Sequence, residues 1–178
     1  KRKVVTSMRN HEVTNVQLLL DEKGELREPG WSRSLVQKYR RDDIKAPAFR
    51  IKEWDYYLVV NKDFAAAFTI SDDGYIGLQS VSLLVFGDEP WEHTETVLNA
   101  FPMGKLRLPN DSSYGTTKYS DKRLQMSFEV KYQTRHLKCH FENFMDGKPL
   151  DAEIVLEQPP MDSMVIATPW PEKHAFYY

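Results

Sequence analysis

Two oxygen-bearing side chains stand two residues apart in the run Arg50-Ile-Lys-Glu-Trp-Asp-Tyr-Tyr57: the carboxyl of Asp55 and the phenol of Tyr57, just ahead of the aliphatic Leu58-Val-Val60. Residues two apart on a strand point to the same face. On a dry face burial disfavours the carboxylate, raises its pKa and leaves a proton that can be donated to a ligand or held in a hydrogen bond. Asp55 and Tyr57 are therefore the candidate catalytic pair. The plainer alternative is an Asp55 that accepts hydrogen bonds from Arg50, Lys52 or backbone amides at a strand end and does nothing else.

What shares that face depends on the neighbouring strand. If residues 54–60 and 64–70 form a hairpin around the loop Asn61-Lys-Asp63, Val60 stands opposite Phe64. Trp54, Tyr56, Leu58 and Val60 then join Phe64, Ala66, Phe68 and Ile70 on a bulky core face. Asp55, Tyr57 and Val59 join Ala65, Ala67 and Thr69 on a nearly bare one, with room for a ligand on the concave side of a barrel. The candidate ligand-binding residues are Trp54, Asp55, Tyr57, Ala65, Ala67 and Thr69. A slip of one residue would put Asp55 opposite Ile70 instead.

Other chemistry is poorly represented. His136-Leu-Lys-Cys-His140 has ligand types, but on a strand the two histidines point one way and Cys139 the other, so the three cannot hold one ion. The chain has no Gly-x-Ser-x-Gly elbow, no phosphate loop and no Gly-x-Gly-x-x-Gly. Neither a metal nor a cofactor is expected. Asp72-Asp73 sits in a turn sequence, where aspartates serve local hydrogen bonds.

The elements that must position these residues are strands. Turn signals recur at short intervals, among them Ser71-Asp-Asp-Gly74, Gly87-Asp-Glu-Pro90, Pro109-Asn-Asp-Ser112 and Asp146-Gly147. Between them Met126, Phe128, Val130 and Tyr132 alternate with Ser127, Glu129 and Lys131, and Leu137, Cys139 and Phe141 alternate with His136, Lys138 and His140. Ala152, Ile154 and Leu156 repeat the device. This pattern predicts an antiparallel meander with one wet face. Residues 54–60 and 74–86 are apolar on both faces, as in strands covered on both sides. The one helical candidate is a single turn around Ser32–Tyr39, so at most one short helix is expected.

At 178 residues the chain is long enough for one domain with an ample core. Its 24 basic and 26 acidic residues interleave, for a net charge of −2, and make no basic field for nucleic acid. The short runs Lys1-Arg2-Lys3 and Lys38-Tyr-Arg-Arg41 are the exceptions, the second being followed at once by Asp42 and Asp43. The lone Cys139 excludes an internal disulfide and favours a reducing, cytoplasmic setting. No apolar run is long enough for a membrane-spanning helix. An end at Phe176-Tyr-Tyr178 suggests a piece of something longer.

Arg27-Glu-Pro-Gly-Trp31, Arg50-Ile-Lys-Glu-Trp-Asp-Tyr-Tyr57 and His174-Ala-Phe-Tyr-Tyr178, in that order, resemble the N-terminal half of the bacterial family known as domain of unknown function 2804. The resemblance implies a single β domain over residues 1–178 as the first half of a two-domain protein. A missing C-terminal half or a second chain would then be its partner. It also implies a distant likeness to lipocalin-like proteins related to hydroxyneurosporene synthase, hence an all-β lipocalin-like barrel or curved β-sandwich. The leading functional expectation is a binder of a small apolar or amphipathic molecule. The alternatives are an acid-assisted isomerase, hydratase or cyclase on such a molecule, and a structural module.

Overall fold

The computed structural model describes residues 10–178; Lys1-Arg2-Lys3 lies outside them. Among the described residues the chain forms thirteen strands: β1 (Gln17–Leu18), β2 (Gly30–Ser32), β3 (Gln37–Lys38), β4 (Glu53–Val60), β5 (Phe64–Asp72), β6 (Ile76–Val85), β7 (Trp91–Ala100), β8 (Gly115–Ser120), β9 (Leu124–Lys131), β10 (Thr134–Met145), β11 (Lys148–Glu157), β12 (Val165–Trp170) and β13 (Ala175–Tyr177). Helical structure is confined to the three-residue 3-10 turns Arg41–Asp43, Ala48–Arg50 and Pro171–Lys173. The one helical candidate, Ser32–Tyr39, forms no helix, in keeping with an expectation of at most one short helix. Ser32 instead donates its hydroxyl to the Ser34 carbonyl at 2.8 Å, and Gln37 is buried with its carboxamide donating to the Glu28 carbonyl at 2.9 Å. One apolar turn gives too little burial to offset helix nucleation.

The chain divides into two compact units. In one, Pro160–Tyr178 joins the described residues up to Lys45. Here β13, β12 and β2 form an antiparallel sheet in that order, and β1 pairs in parallel with β3. The core is small: Leu19, Leu20 and Ala167 are buried, with Leu26, Tyr39, Ile44 and Phe176 against them. The aromatic C-terminus is tied into this unit. Phe176 enters its core, Trp170 meets Tyr177 edge-to-face at 5.7 Å, and the Tyr178 hydroxyl donates to the Gln37 carbonyl.

The second unit, Ala46–Pro159, is a β-sandwich. One sheet has the order β4-β5-β6-β7 and the other β11-β10-β9-β8, with every pairing antiparallel. No sheet closes into a barrel. The meander is as expected: Met126 and Phe128 from β9, Leu137, Cys139 and Phe141 from β10, and Ile154 and Leu156 from β11 face the inter-sheet core, with Val130 half-buried beside them. Ala66, Phe68, Ile70, Val81 and Val97 answer from the opposite sheet. Tyr132 departs from the pattern, lying in the β9–β10 turn with φ 57° and 90% of its surface exposed. The interior is filled, with Phe68, Phe128, Phe141, Ile70, Leu124 and Leu137 all at 2% exposure or less. Each such side chain contributes about 1.5–3 kcal/mol of burial.

Candidate functional site

The turn after β4 decides what the candidate residues can do together. Asn61 accepts the amides of Asp63 and Phe64 on its own carboxamide oxygen, each at 2.8 Å, while its amide donates to the Phe64 carbonyl at 2.9 Å. The turn therefore closes over Lys62 and Asp63 alone, one residue tighter than the three-residue loop expected. Val60 pairs with Ala65, and the register continues through Leu58–Ala67, Tyr57–Phe68, Tyr56–Thr69 and Asp55–Ile70 to Trp54–Ser71. This is the one-residue slip, and it reverses the face assignment.

The six candidate ligand residues consequently do not share a face. Asp55 and Tyr57 lie on the inner side with Ile70 and Phe68, whereas Trp54, Ala65, Ala67 and Thr69 lie on the outer side. The face around Asp55 is not bare: Tyr57 packs on Phe128 edge-to-face with ring centroids 4.9 Å apart, and Ile70 is fully buried.

On the inner side a polar cluster spans the two sheets. Thr117 of β8, itself buried, donates its hydroxyl to Asp55 Oδ2 at 2.8 Å. Arg135 of β10 donates from Nη1 to the Tyr57 hydroxyl at 2.9 Å and from Nε to Gln158 Oε1 at 2.7 Å, with its guanidinium 5.8 Å from the Tyr57 ring centroid. Burial pushes the Asp55 carboxyl above the usual carboxylate range, against the opposing pull of the Thr117 hydroxyl, the Arg135 charge and the Tyr56 amide. Burial and the neighbouring Asp55 likewise raise the Tyr57 phenol, against Arg135. Asp55 is thus more than a strand-end charge. Thr117, Arg135 and Gln158 come from strands and a strand end 62 or more residues away in sequence from Asp55, so nothing local to the hairpin could reveal them.

The outer side carries the bare face. Reading across β4 to β7, its rows are Val60-Ala65-Leu84-Glu92, Leu58-Ala67-Ser82-Thr94, Tyr56-Thr69-Ser80-Thr96 and Trp54-Ser71-Leu78-Leu98. One wall is the β4 row, where Trp54, Tyr56, Leu58 and Val60 are 54%, 51%, 52% and 57% exposed. The floor is small: Ala65 and Ala67 are buried beneath their neighbours, and beyond them Thr69, Ser80 and Ser82 offer hydroxyls. Leu78, Leu84 and Leu98 bound the far side. The expected three-residue loop places Tyr56, Leu58 and Val60 in the core, and the observed register turns them outward. Their signal was the two-faced apolar character of residues 54–60, which left one face in search of a cover.

Elsewhere the chemistry is sparse. The smaller unit has a groove of about 440 Å³ lined by Gly30, Trp31, Met164, Ile166, Ala167 and Pro169, among others. Cys139 is buried, its thiol pushed up to about 12 chiefly by burial, while His136 and His140 lie on the opposite side of β10. His140 is held between Asp151 at 2.8 Å and Glu142 at 3.0 Å, and these carboxylates raise its pKa. Among the described residues no group of three or more His, Cys, Asp or Glu is arranged to hold a metal ion, and no helix is long and apolar enough to cross a membrane.

Sheet order and filled core define an all-β protein whose larger unit is a sandwich of two four-stranded antiparallel sheets with a half-exposed apolar row along β4. The family model described as domain of unknown function (DUF2804) matches residues 10–178, and the chain belongs to that family. No curated protein and no solved structure matches it.

Proposed function

We propose that the chain binds a small apolar or amphipathic molecule, uncharged, on the outer face of the β4–β7 sheet. The observation that carries this reading is the half-exposed row Trp54, Tyr56, Leu58 and Val60 standing beside the buried alanines of β5. An exposed contiguous row of large apolar side chains is informative where scattered single ones are not. The row supplies aromatic and aliphatic contact, and the hydroxyls of Thr69, Ser80 and Ser82 give a polar end something to bond. Glu92 is the only charge in the four rows, which argues against an anionic ligand. The lone Cys139, buried and without a disulfide, fits a cytoplasmic setting. The test is titration with a polarity-sensitive neutral dye, followed by displacement with a neutral long-chain alcohol. Saturable binding that weakens at least ~10-fold in Ala67→Phe is expected, since the new ring fills the floor. Equal binding by both proteins would defeat the proposal.

A further inference from the structure

Residues other than glycine seldom adopt left-handed backbone, because the Cβ crowds the following carbonyl, and where a fold keeps them there the strain points to a use. The connection after β7 holds three such residues: Phe101 at φ 51°, Met103 at 46° and Arg107 at 51°. Its path is set from below. The Phe101 amide donates to the Tyr75 carbonyl at 3.0 Å and the Met103 amide to the Gly74 carbonyl at 3.1 Å. The Gly104 amide donates to Asp72 Oδ2 at 2.7 Å, and the other oxygen of that buried carboxylate takes the Gly74 amide at 3.1 Å. Pro102 is buried and Leu106 packs against the sandwich core. Phe101 and Met103 go the other way, 59% and 39% exposed, although residues of their type are ordinarily inside.

Two neighbouring segments present the same kind of side chain at this end of the β4–β7 sheet. Tyr75, in the β5–β6 turn, and Phe49, in the 3-10 turn ahead of β4, are both about half exposed. A Cβ on Gly74 would meet the Phe49 carbonyl, so the two turns touch. The exposed charged residues of the three segments, 48–52, 73–75 and 101–107, are all basic: Arg50, Lys52, Lys105 and Arg107. Among the described residues none of the four is drawn into an ion pair, and the Lys52 ammonium lies 5.9 Å from the Tyr75 ring centroid. Of the acids nearby, Asp72 is turned inward to amides, and Glu53 and Asp73 are half-buried. We propose that this end of the sandwich docks on an anionic lipid surface, with Phe101, Met103, Tyr75 and Phe49 entering the headgroup region and the four basic side chains meeting lipid charge. Charge complementarity selects the occupant, since apolar tips set among unpaired cations fit a bilayer whose apolar interior lies beneath a negative surface. An acidic peptide or a nucleic acid would meet the cations alone. It would leave the Phe101 ring and the Met103 thioether in water, and the strain that holds them out without a use.

The docking end is separate from the ligand face: Ala67→Phe, on β5, should block the dye and leave vesicle binding intact. Co-sedimentation of the chain with vesicles tests the proposal, using phosphatidylcholine alone and an equimolar mixture of phosphatidylcholine and phosphatidylserine. The expected result is binding to the mixed vesicles only, weakening as salt rises. Each Lys or Arg near such a surface strengthens binding about five-fold, so Lys105→Gln with Arg107→Gln should weaken it about 25-fold. Phe101→Gly with Met103→Gly removes both apolar tips while suiting the left-handed backbone. That pair should lose at least ~10-fold in binding with an unchanged circular dichroism spectrum and a thermal midpoint that does not fall. No binding to mixed vesicles, equal binding to both kinds, or binding that the glutamine pair leaves unmoved would overturn it. So would a glycine pair that binds as before, which would mark a site for polyanions in general, or one whose thermal midpoint falls, which would make the two side chains structural.

Discussion

Thr117→Val removes one oxygen and keeps the side-chain shape at a buried position, where the hydroxyl donates to Asp55 Oδ2 at 2.8 Å. A hydrogen bond to a charged group contributes about 1.5–3 kcal/mol, and a desolvated carboxylate robbed of its donor is the costly side of that exchange. Burial already raises Asp55 above its ordinary value of 3.8, with the Thr117 hydroxyl the first of the groups opposing it. The variant therefore raises it further. A raised carboxyl binds its proton more tightly in the folded chain than in the unfolded one. Its stabilising contribution is full below pH 3.8 and is lost as pH rises through the folded value. Thr117→Val should accordingly cost about 1.5–3 kcal/mol at neutral pH, and distinctly less near pH 4, where the folded carboxyl retains more of its proton. Urea unfolding at the two pH values, with the Asp55 carboxyl titrated by NMR, reads both quantities. Equal destabilisation at both pH values, or an Asp55 pKa that does not rise, would refute the reasoning.

Three further outcomes are expected. Phe128→Ala removes a ring with 1% exposure that meets Tyr57 edge-to-face, and should cost about 3–5 kcal/mol in urea unfolding; a loss below about 1 kcal/mol would mean that the two sheets do not meet there. Gly74 and Gly147 both sit in the left-handed region, at φ +79° and +75°, but a Cβ on Gly74 would collide with the Phe49 carbonyl oxygen whereas one on Gly147 meets nothing within 4 Å, so Gly74→Ala should cost more than about 1 kcal/mol and more than Gly147→Ala, which carries the backbone strain alone. Asp151→Asn should lower the His140 pKa toward 6.5, because the Asp151 hydrogen bond is the leading cause of its rise. The stabilisation that this pair gives is present below pH 6.5 and disappears as pH rises through the raised value, so an imidazole titration that Asp151→Asn leaves unmoved would count against the contact.

The meander was legible because each of its strands is wet on one side. Lys138 and His140 outward against Leu137, Cys139 and Phe141 inward leave a single way to orient β10. The hairpin around Asp55 gave no such help. With bulky or apolar residues on both faces of 54–60, hydrophobic pattern does not choose the register, and the choice falls to the Asn61 carboxamide, which gathers two amides and shortens the loop by one residue. The same ambiguity hid the outer face: the expected register sets Ala65, Ala67 and Thr69 beside Asp55, Tyr57 and Val59, whereas they stand beside Val60, Leu58 and Tyr56. Closure into a barrel was beyond local pattern altogether, since it depends on whether edge strands meet. Thr117 and Arg135 were illegible for a related reason, because only the stacking of two sheets brings them to Asp55 and Tyr57.

Ligand binding on the outer face of the β4–β7 sheet is tested by methyl NMR of the chain, with Leu58, Ala65, Ala67 and Leu84 assigned, titrated with a neutral long-chain alcohol. Saturable shifts are expected at those four methyls, while the methyls of Met164, Ile166 and Ala167 in the smaller unit and of Leu137 in the sandwich interior stay in place. Shifts confined to the smaller unit, or none that saturate, would contradict it.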